Sequence, residues 1–368
     1  MHRRNGRRVT RRRFLGGAAG AGAMALLGRP GPVIGQPLRK IKYTNPWLPI
    51  GTFVFSYVAR AKGFWRRRGL DVEVARGYGS VAAAQAIGQG QFDFGCADSS
   101  VITMQQAKGL PLVMLGQLEY LATQGIGILS DSPIRKPKDL EGKTLGGTPS
   151  SGEFPFLGAY ASAAGFDLGK VKVVHIDAQV RDRSLVDKRV DAISAYASAM
   201  IPPLKSRGVD TRFMLFSNAG MKMYSLAFAT QRQRLKDDPG VVEAFIDGAH
   251  EAVVWTINHP EEALEVFLGE LKELGMTSSG REFTQIGLGI HTYCSLGDEV
   301  KKHGFGWMDP KVMEAQTDLV MEHIVKGDGK RPAPEESYTN KFTGRYKFSE
   351  AEWAKAVKDN AEWSKVLT

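Results

Sequence analysis

The sequence holds little cysteine and lacks the spaced motifs of the common catalytic sites. Its 368 residues contain only Cys96 and Cys294, which are too few for a disulfide framework. The two can pair outside the cytoplasm, but we expect both to be small buried residues. No His-Glu-x-x-His, Cys-x-x-Cys or Gly-x-Ser-x-Gly pattern occurs. Because these patterns mark metal sites, redox dithiols and serine nucleophiles, we expect no metal, no cofactor and no catalysis.

Acidic residues are absent from the first 36 positions, which carry eight arginines. The stretch Thr-Arg-Arg-Arg-Phe-Leu begins at Thr10, and an apolar run of small residues extends from Phe14 to Leu27. This run is shorter than the roughly 20 residues that a membrane-spanning helix needs, and its basic flank is typical of a cleavable export signal. The paired arginines resemble the twin-arginine class of bacterial signals, which implies that the export machinery carries a folded chain to the periplasm.

We therefore predict a signal peptide over residues 1–36, with cleavage between positions 28 and 38. The alternative is a disordered basic arm that binds nucleic acid, but such arms lack the apolar run. Removing the eight arginines lowers the formal net charge from +10 to +2, so the mature chain does not have the composition of a nucleic-acid binder. No later stretch is apolar enough to span a membrane, and we expect a monomer.

From about Lys40 onward short strands alternate with helices, which predicts an α/β fold with parallel strands. Residues 70–74 alternate apolar and acidic side chains, whereas Val54, Tyr57 and Val58 recur at helical spacing. Strands are predicted at residues 40–44, 70–74, 92–97, 111–115, 125–129, 143–147, 171–176, 191–196 and 211–216. The last third, from about Asp237, is predicted to be mostly helical.

Two passages of the chain echo each other. Residues 86–100 and 185–199 both read as a helix end, a hydrophobic-Asp step, a strand of small residues and a turn with serine that opens a helix. The echo favours two related α/β lobes. About 330 mature residues are also long enough for two domains.

Hydroxyl side chains gather where predicted strands turn into helices. They are Ser80, Ser99 with Ser100, and Thr148 with Ser150 and Ser151. Free N–H groups at helix N-termini bind anions and polar groups, and open α/β sheets bind ligands at the carboxyl ends of their strands. Each serine alone is an ordinary helix cap; together they predict a site for a small polar solute.

One motif supports a different class of function. Residues 77–82, Gly-Tyr-Gly-Ser-Val-Ala, follow a strand and open a helix, and Asp98 lies about twenty residues later. A dinucleotide-binding loop has this loose pattern, in which an acidic residue holds the ribose. An exported NAD(P)-dependent oxidoreductase therefore stays open as an alternative, although the motif is short and no hydride-transfer residues are recognisable.

Four further blocks carry a family resemblance: YVARAKGFWRRRGLDVEV, AIGQGQFDFGCAD, PIRKPKDLEGKTLG and VDKRVDAI. In this order they resemble the type II periplasmic solute-binding proteins of ABC transporters, in the family that binds nitrate, taurine, alkanesulfonates and the hydroxymethylpyrimidine precursor of thiamine. The resemblance covers about residues 40–309. It implies two α/β lobes, 38–125 with 228–368 and 126–227, joined by two crossover strands near 123–127 and 226–230, with a ligand cleft between them.

The same resemblance implies a set of pocket residues. They are Asn45, Trp47, Ser80, Asp98, Ser99, Thr148, Ser150, Ser151, Tyr196 and Tyr224. The aromatic members would hold a planar solute between them, and the hydroxyl groups would fix its polar edge. No arginine of these turns obviously clamps a sulfonate, although Arg181 and Arg183 remain candidates. The cysteine-rich iron motif of the fungal pyrimidine-synthesising relatives is missing.

The expected function is therefore the capture of a small planar, pyrimidine-like solute by lobe closure and its delivery to an ABC permease in the inner membrane. A binder of an organosulfonate or another small anion is the nearest alternative. The sequence does not distinguish this transport role from that of a sensory or scaffold protein with the same fold.

Overall fold

Two five-stranded sheets organise the protein, and a computed structural model describes residues 37–367. The predicted signal peptide, residues 1–36, lies outside the described residues. The strands are β1 Arg39–Thr44, β2 Leu70–Ala75, β3 Phe94–Asp98, β4 Leu112–Gln117, β5 Gln124–Leu129, β6 Thr144–Gly147, β7 Lys172–His175, β8 Ala192–Tyr196, β9 Thr211–Leu215 and β10 Leu226–Gln231. All nine predicted strands are confirmed, and β10 covers the predicted return crossover.

Helices connect the strands and make up most of the last third, as predicted. They are α1 Val54–Ala61, α2 Ser80–Gly88, α3 Ser99–Ala107, α4 Leu157–Ala164, α5 Arg181–Val186, α6 Ala197–Lys205, α7 Arg232–Asp237, α8 Pro239–Asn258, α9 Pro260–Glu270, α10 Lys272–Gly275, α11 Ser278–Ser295, α12 Asp298–His303, α13 Pro310–Leu319, α14 Pro334–Ser337 and α15 Glu350–Asp359. Short 3-10 turns occur at Gly51–Phe53, Arg66–Arg68, Pro137–Leu140, Phe154–Phe156, Leu168–Lys170, Phe216–Ala219 and Ala361–Val366, and Val320–Val325 is a π-helix.

The two sheets share one strand order. The first is β2-β1-β3-β10-β4 and the second is β7-β6-β8-β5-β9. In each described sheet the fourth strand runs antiparallel to both neighbours, and the other pairings are parallel. The sheets are therefore mixed rather than purely parallel. The two antiparallel strands, β5 and β10, are those that enter directly after the chain crosses from one sheet to the other.

The sequence echo corresponds to a repeated structural unit. Asp93 and Asp191 precede the equivalent strands β3 and β8, and each carboxylate accepts the backbone N–H of the neighbouring first strand, from Lys42 at 2.7 Å and from Thr144 at 2.8 Å. A short polar side chain that bonds backbone in this way fixes where pairing begins. The two α/β units are therefore related in topology and in this local contact.

Apolar side chains of the long helix α8 pack against the first sheet. In α8 the stripe Val242, Phe245, Ile246, Ala249 and Val253 is fully buried, and Phe245 stacks on Phe94 of β3 with ring centroids 4.0 Å apart. Buried apolar area of this kind is the main stabilising contribution to a fold.

Helix α11 packs with both sheets. Its residues Ile286, Ile290 and Cys294 share a buried cluster with residues of the second sheet, which Leu367 near the C-terminus joins. Residues 37–367 belong to one compact unit, and the predicted residue bounds of the lobes stay a prediction. Cys96 and Cys294 are both buried, as expected, and each is a free thiol.

Candidate ligand-binding site

Loops from both sheets meet around one small cavity. It is lined by Pro46, Trp47, Ile50, Thr52, Phe53, Ser80 and Leu226 from the first sheet and its loops, and by Ser151, Arg181, Tyr196, Ser198 and Ala199 from the second. Its volume of about 30 Å³ is room for a water or two. The cleft between the sheets is therefore closed in this conformation.

A backbone contact across the cleft accounts for this closure. The N–H of Val81 in α2 donates to the carbonyl of Ser150 at 3.1 Å, and the Ser150 hydroxyl donates to the Tyr78 carbonyl. Between them lies Gly79, at φ +126°, where an added Cβ would clash with the Ser150 backbone. We call residues 77–81 and 148–151 the latch.

The latch removes the structural basis of the dinucleotide hypothesis. In a dinucleotide-binding loop, glycines open space for pyrophosphate and the helix N–H groups point at it. Here Gly79 makes room for Ser150, and the Val81 N–H is already bonded to it. Nothing in this loop supports the oxidoreductase alternative.

Four of the ten predicted pocket residues line the cavity: Trp47, Ser80, Ser151 and Tyr196. Trp47 follows β1, and the guanidinium of Arg181 lies over its ring, with Cζ 5.2 Å from the ring centroid. This cation–π contact joins the two sides of the cleft. One face of Trp47 is therefore covered by Arg181 rather than by a second aromatic ring.

Tyr196 ends β8 and presents a buried phenol. Its hydroxyl is buried, and Ser80, Asp98 and Glu153 lie near it. Burial raises the pKa of Tyr196 well above its usual range, so the phenol keeps its proton. The acceptors beside this phenol are the Asp98 carboxyl group and the Ser80 hydroxyl, and both interact with it.

Asp98 lies beside Tyr196 at the start of α3. As the N-cap of α3 it accepts the N–H of Ser100 at 3.0 Å, and its second oxygen accepts the side-chain amide of Gln124 at 2.6 Å. Burial raises the pKa of Asp98 to about 7. Asp98 thereby links the start of α3 to the crossover strand β5, and it does not line the cavity.

The other five predicted residues are held by internal hydrogen bonds. Asn45 donates to Ser56 at 3.1 Å, Ser99 to Gln316 at 2.8 Å, Thr148 to the Ile176 carbonyl at 2.9 Å, Ser150 to Tyr78 and Tyr224 to Glu299 at 2.7 Å. Tyr224 also packs edge-on against Tyr120, away from the cavity lining. Their ligand roles stay predictions from the sequence, without support from these positions.

Glu153 is a site residue that the sequence did not reveal. It is fully buried, accepts the hydroxyl of Ser151 and also accepts that of Ser194 at 3.1 Å. Burial raises the pKa of Glu153, and the nearby charge of Arg181 opposes part of that rise. Nothing in the sequence around it marks Glu153, because its burial depends on a strand more than forty residues away.

Arg181 was only a candidate from the sequence, and the structure places it in the cavity wall. It is 1% exposed and begins α5, where a positive charge opposes the helix dipole. An arginine is unfavourable at the start of a helix, and this location indicates that Arg181 has a role other than stabilising α5. Arg183, by contrast, has a side chain 76% exposed and pairs with Asp187.

Within residues 37–367 no cluster of histidine, cysteine and carboxylate side chains is arranged to hold a metal ion. Among the helices of the same residues, none combines the length and the apolar character that crossing a bilayer requires.

Comparison with known proteins identifies the family to which this chain belongs. The model of the NMT1/THI5-like family matches residues 51–263. The chain belongs to this family. The match includes Ser80, Ser151, Arg181 and Tyr196 and leaves out Trp47, so the NMT1/THI5-like region holds most of the cavity wall.

Relatives of this NMT1/THI5-like protein differ in what their names say they do. The formylaminopyrimidine-binding protein of Halalkalibacterium halodurans is 24% identical over 63% of this chain and 71% of its own. A 4-amino-5-hydroxymethyl-2-methylpyrimidine phosphate synthase of Legionella pneumophila is 26% identical over 61% and 70%. The relatives are thus mainly binding proteins, and one is named as an enzyme.

A solved structure confirms the fold predicted for this NMT1/THI5-like chain. The alkanesulfonate-binding protein SsuA of Xanthomonas axonopodis, bound to MOPS, superimposes with a TM-score of 0.63 at 14% identity, over 83% of this chain and 99% of SsuA. Two mixed five-stranded sheets with flanking helices are the type II periplasmic-binding fold. The resemblance noted in the sequence is therefore confirmed for family and fold.

Proposed function

We propose that this protein is the periplasmic solute-binding component of an ABC importer and that it captures a small planar heterocycle of the pyrimidine kind. The observation that carries the proposal is the cavity between the two sheets, whose wall combines the ring of Trp47 with the polar residues Ser80, Ser151 and Arg181. An aromatic surface beside a few polar groups is the usual design of a small-molecule site. The name of the Halalkalibacterium relative supports the ligand class.

Charge in the cleft argues for this solute over the anion alternative. Arg181, the one arginine of residues 37–367 that is buried, already pairs with Asp182 at 2.8 Å, and the buried carboxyl groups of Asp98 and Glu153 lie near Tyr196. A sulfonate or nitrate would add a negative charge where the described residues offer no uncompensated cation, which costs free energy.

The proposal includes the route and the partners of the protein. Export through the twin-arginine machinery, delivery of the solute to a permease of the inner membrane, a monomeric state and binding without chemical conversion all belong to it. Lobe closure over the solute is the mechanism, and the cleft must stay wider around a pyrimidine ring than in this conformation, because about 30 Å³ does not hold such a ring. The latch supports it, because hydrogen bonds join groups from the two sides of the cleft in this closed conformation.

A thermal-shift screen of the mature protein tests the proposal. The probes are pyrimidines, methanesulfonate, nitrate and nicotinamide dinucleotides. A solute at a hundred times its dissociation constant adds about 2.7 kcal/mol of stability. We expect a pyrimidine to raise the melting temperature and Trp47→Ala to weaken that binding roughly tenfold or more.

Trp307→Ala is the matched control, since Trp307 is half-buried and stacks on His303 outside the cavity lining. A thermal shift with methanesulfonate alone would show that the solute is a small anion and not a pyrimidine. Response to a dinucleotide alone would contradict the importer, and recovery of a chemically altered probe would contradict binding without conversion.

A further inference from the structure

The chain passes between the two sheets twice. One crossover segment, residues 118–123, runs from β4 to β5, and the other, residues 220–225, leads into β10. The segments lie side by side, since the N–H of Ser225 donates to the Glu119 carbonyl at 3.2 Å and the N–H of Glu119 donates to the Leu226 carbonyl at 3.1 Å. Closure of two lobes bends the segments that connect them. We call the two crossover segments the hinge.

One buried carboxylate contacts both crossover segments. Glu119 lies on the first segment and is 0% exposed. Its Oε2 accepts the hydroxyl of Ser225, on the second segment, at 3.0 Å. Its Oε1 lies 2.8 Å from Nδ1 of His291 on α11, and this histidine is also buried. The carboxylate thus joins three parts of the chain that are distant in sequence.

Helix α11 has a further bond to the hinge and packs with both sheets. The hydroxyl of Ser295 donates to the carbonyl of Leu118 at 2.8 Å. Other side chains of α11 belong to the core of the second sheet, whereas the ring of His291 stacks on Phe55 of α1, with the centroids 6.3 Å apart. Phe55 in turn packs edge-on against Phe228 of β10. His291 therefore lies where the hinge, α11 and the first sheet meet.

The pair of Glu119 and His291 is a poor choice for stability alone. Burying two ionisable side chains costs desolvation free energy, and apolar residues of similar volume are often at least as stabilising. The second ring nitrogen of His291, Nε2, is buried and has no hydrogen-bond partner among residues 37–367, which adds to the cost. A buried polar pair instead favours one arrangement of the groups that it bonds.

We propose that Glu119 and His291 are positioning residues for lobe closure, because their pair ties both crossover segments to α11 in the closed conformation. The inference rests on the proposed function, in which closure captures the solute. Neither residue lines the cavity, so both act through the hinge and not through contact with the solute. Removing the tie takes free energy from the closed conformation and should shift the protein toward the open one.

Ser225→Ala tests the inference with the smallest change, because it removes only the bond from the second segment to Glu119. Small-angle X-ray scattering measures the radius of gyration of the mature protein without solute, and titration calorimetry measures binding of pyrimidin-4-one and 4-aminopyrimidine. We expect a larger radius. The probe that binds more tightly should lose roughly 2- to 10-fold in affinity, the range for one hydrogen bond.

A second variant removes the contact with α11. His291→Leu alone would leave the Glu119 carboxylate buried without its partner and might not fold, so it is combined with Glu119→Gln. We expect the same two changes as in Ser225→Ala. His291→Asn should restore the radius and most of the affinity, because its side-chain N–H can take the place of Nδ1.

Thr284→Val is the matched control. Thr284 is also fully buried and lies on α11, but its hydroxyl donates to the Gly280 carbonyl of the same helix at 2.8 Å. Its loss should lower the melting temperature and leave the radius and the affinity at the wild-type values. This control separates a weaker α11 from a looser hinge.

A wild-type radius and affinity in both Ser225→Ala and the combined variant would overturn the inference, since the pair would then serve the fold alone. Equal changes in Thr284→Val would overturn it as well, because any weakening of α11 would then open the cleft. A wild-type protein that binds neither probe would contradict the ligand class of the proposed function, and the radii of the solute-free variants would still decide the role of the hinge.

Discussion

At the scale of single residues, two buried tyrosines differ in their hydrogen-bond partners and in their distance from the cavity. Tyr196 and Tyr224 are both buried, and burial raises the pKa of each phenol. Tyr224 donates to Glu299 outside the cavity lining, whereas Tyr196 belongs to the cavity wall and its hydroxyl lies beside Ser80 and Asp98. The first phenol therefore serves the fold alone, and the second also belongs to the wall of the proposed ligand site.

We expect this difference to separate stability from affinity. Tyr224→Phe removes a hydrogen bond and should lower the free energy of unfolding by about 1 kcal/mol without changing solute affinity. Tyr196→Phe should weaken solute binding, because the Tyr196 phenol supports the cavity wall beside Ser80 and Asp98. Denaturant unfolding and calorimetry measure the two quantities. Equal affinity losses in both variants would contradict the placement of Tyr196.

Asp98 should give the protein a distinct dependence on pH. Its pKa rises from 3.8 to about 7 because it is buried, so the folded state holds this proton over a range in which the unfolded state releases it. The Asp98 contribution to stability is therefore full below about pH 4 and is lost as the pH rises to about 7.

Asp98→Asn should remove that loss. The asparagine can still cap α3, and the Gln124 amide can turn so that its unpaired oxygen accepts from it. Melting temperatures from pH 4 to 8 should fall less steeply than in the wild type. Asp71→Asn, at an exposed position of β2, should keep the wild-type slope; parallel curves for wild type and Asp98→Asn would show that Asp98 does not hold this proton.

The sequence located the strand ends of the site but not the direction of each side chain. Ser80, Ser151 and Tyr196 were found because a strand-to-helix turn is visible in a local pattern. Ser99 was chosen by the same pattern, yet its hydroxyl turns to Gln316, more than two hundred residues away. The burial of Glu153 against Ser194 and the contact of Arg181 with Trp47 depend on distant segments, which no local pattern contains.

At the scale of elements, the latch ties the two sides of the cleft together. Positive φ makes glycine favourable at position 79, but the neighbouring Ser150 backbone makes it necessary, since a Cβ has no space there. The first turn of α2 is thereby coupled to the loop after β6. Closure is held by protein groups as well as by any solute.

Gly79→Ala should therefore favour the open cleft. We expect a larger radius of gyration in small-angle X-ray scattering and weaker solute binding. Gly69→Ala is the matched control, because Gly69 also has positive φ, +79°, but an added Cβ meets nothing within 4 Å. It should cost stability only, by about 1 kcal/mol. An unchanged radius and affinity in Gly79→Ala would show that the latch does not hold the cleft.

The secondary structure was predictable because its signals are local, and the packing of α11 was not. Alternation in β2 and the apolar stripe of α8 are visible within single segments. Helix α11 instead contributes apolar side chains to the core of the second sheet. Its Gly287 also approaches Gly51, in the turn after β1, backbone to backbone. Two glycines more than two hundred residues apart give no periodic pattern.

At the scale of the whole molecule, the fold and family are shown, and the route of export is a prediction. It concerns residues outside 37–367 and rests on Arg11 and Arg12 before the apolar run. Replacing both with lysine should keep the charge and abolish twin-arginine export. Cell fractionation should then find the precursor in the cytoplasm, and the wild-type mature chain should begin between residues 28 and 38. Export of the lysine variant at the wild-type level would contradict this route.

Native mass spectrometry of the mature protein, titrated with the pyrimidine probes, methanesulfonate and a nicotinamide dinucleotide, tests the central claim most directly. A protein that closes on one uncharged heterocycle between its sheets should take up one pyrimidine per chain, displaceable by excess probe and lost in Trp47→Ala. One dinucleotide or one methanesulfonate per chain, with no pyrimidine bound, would contradict the account.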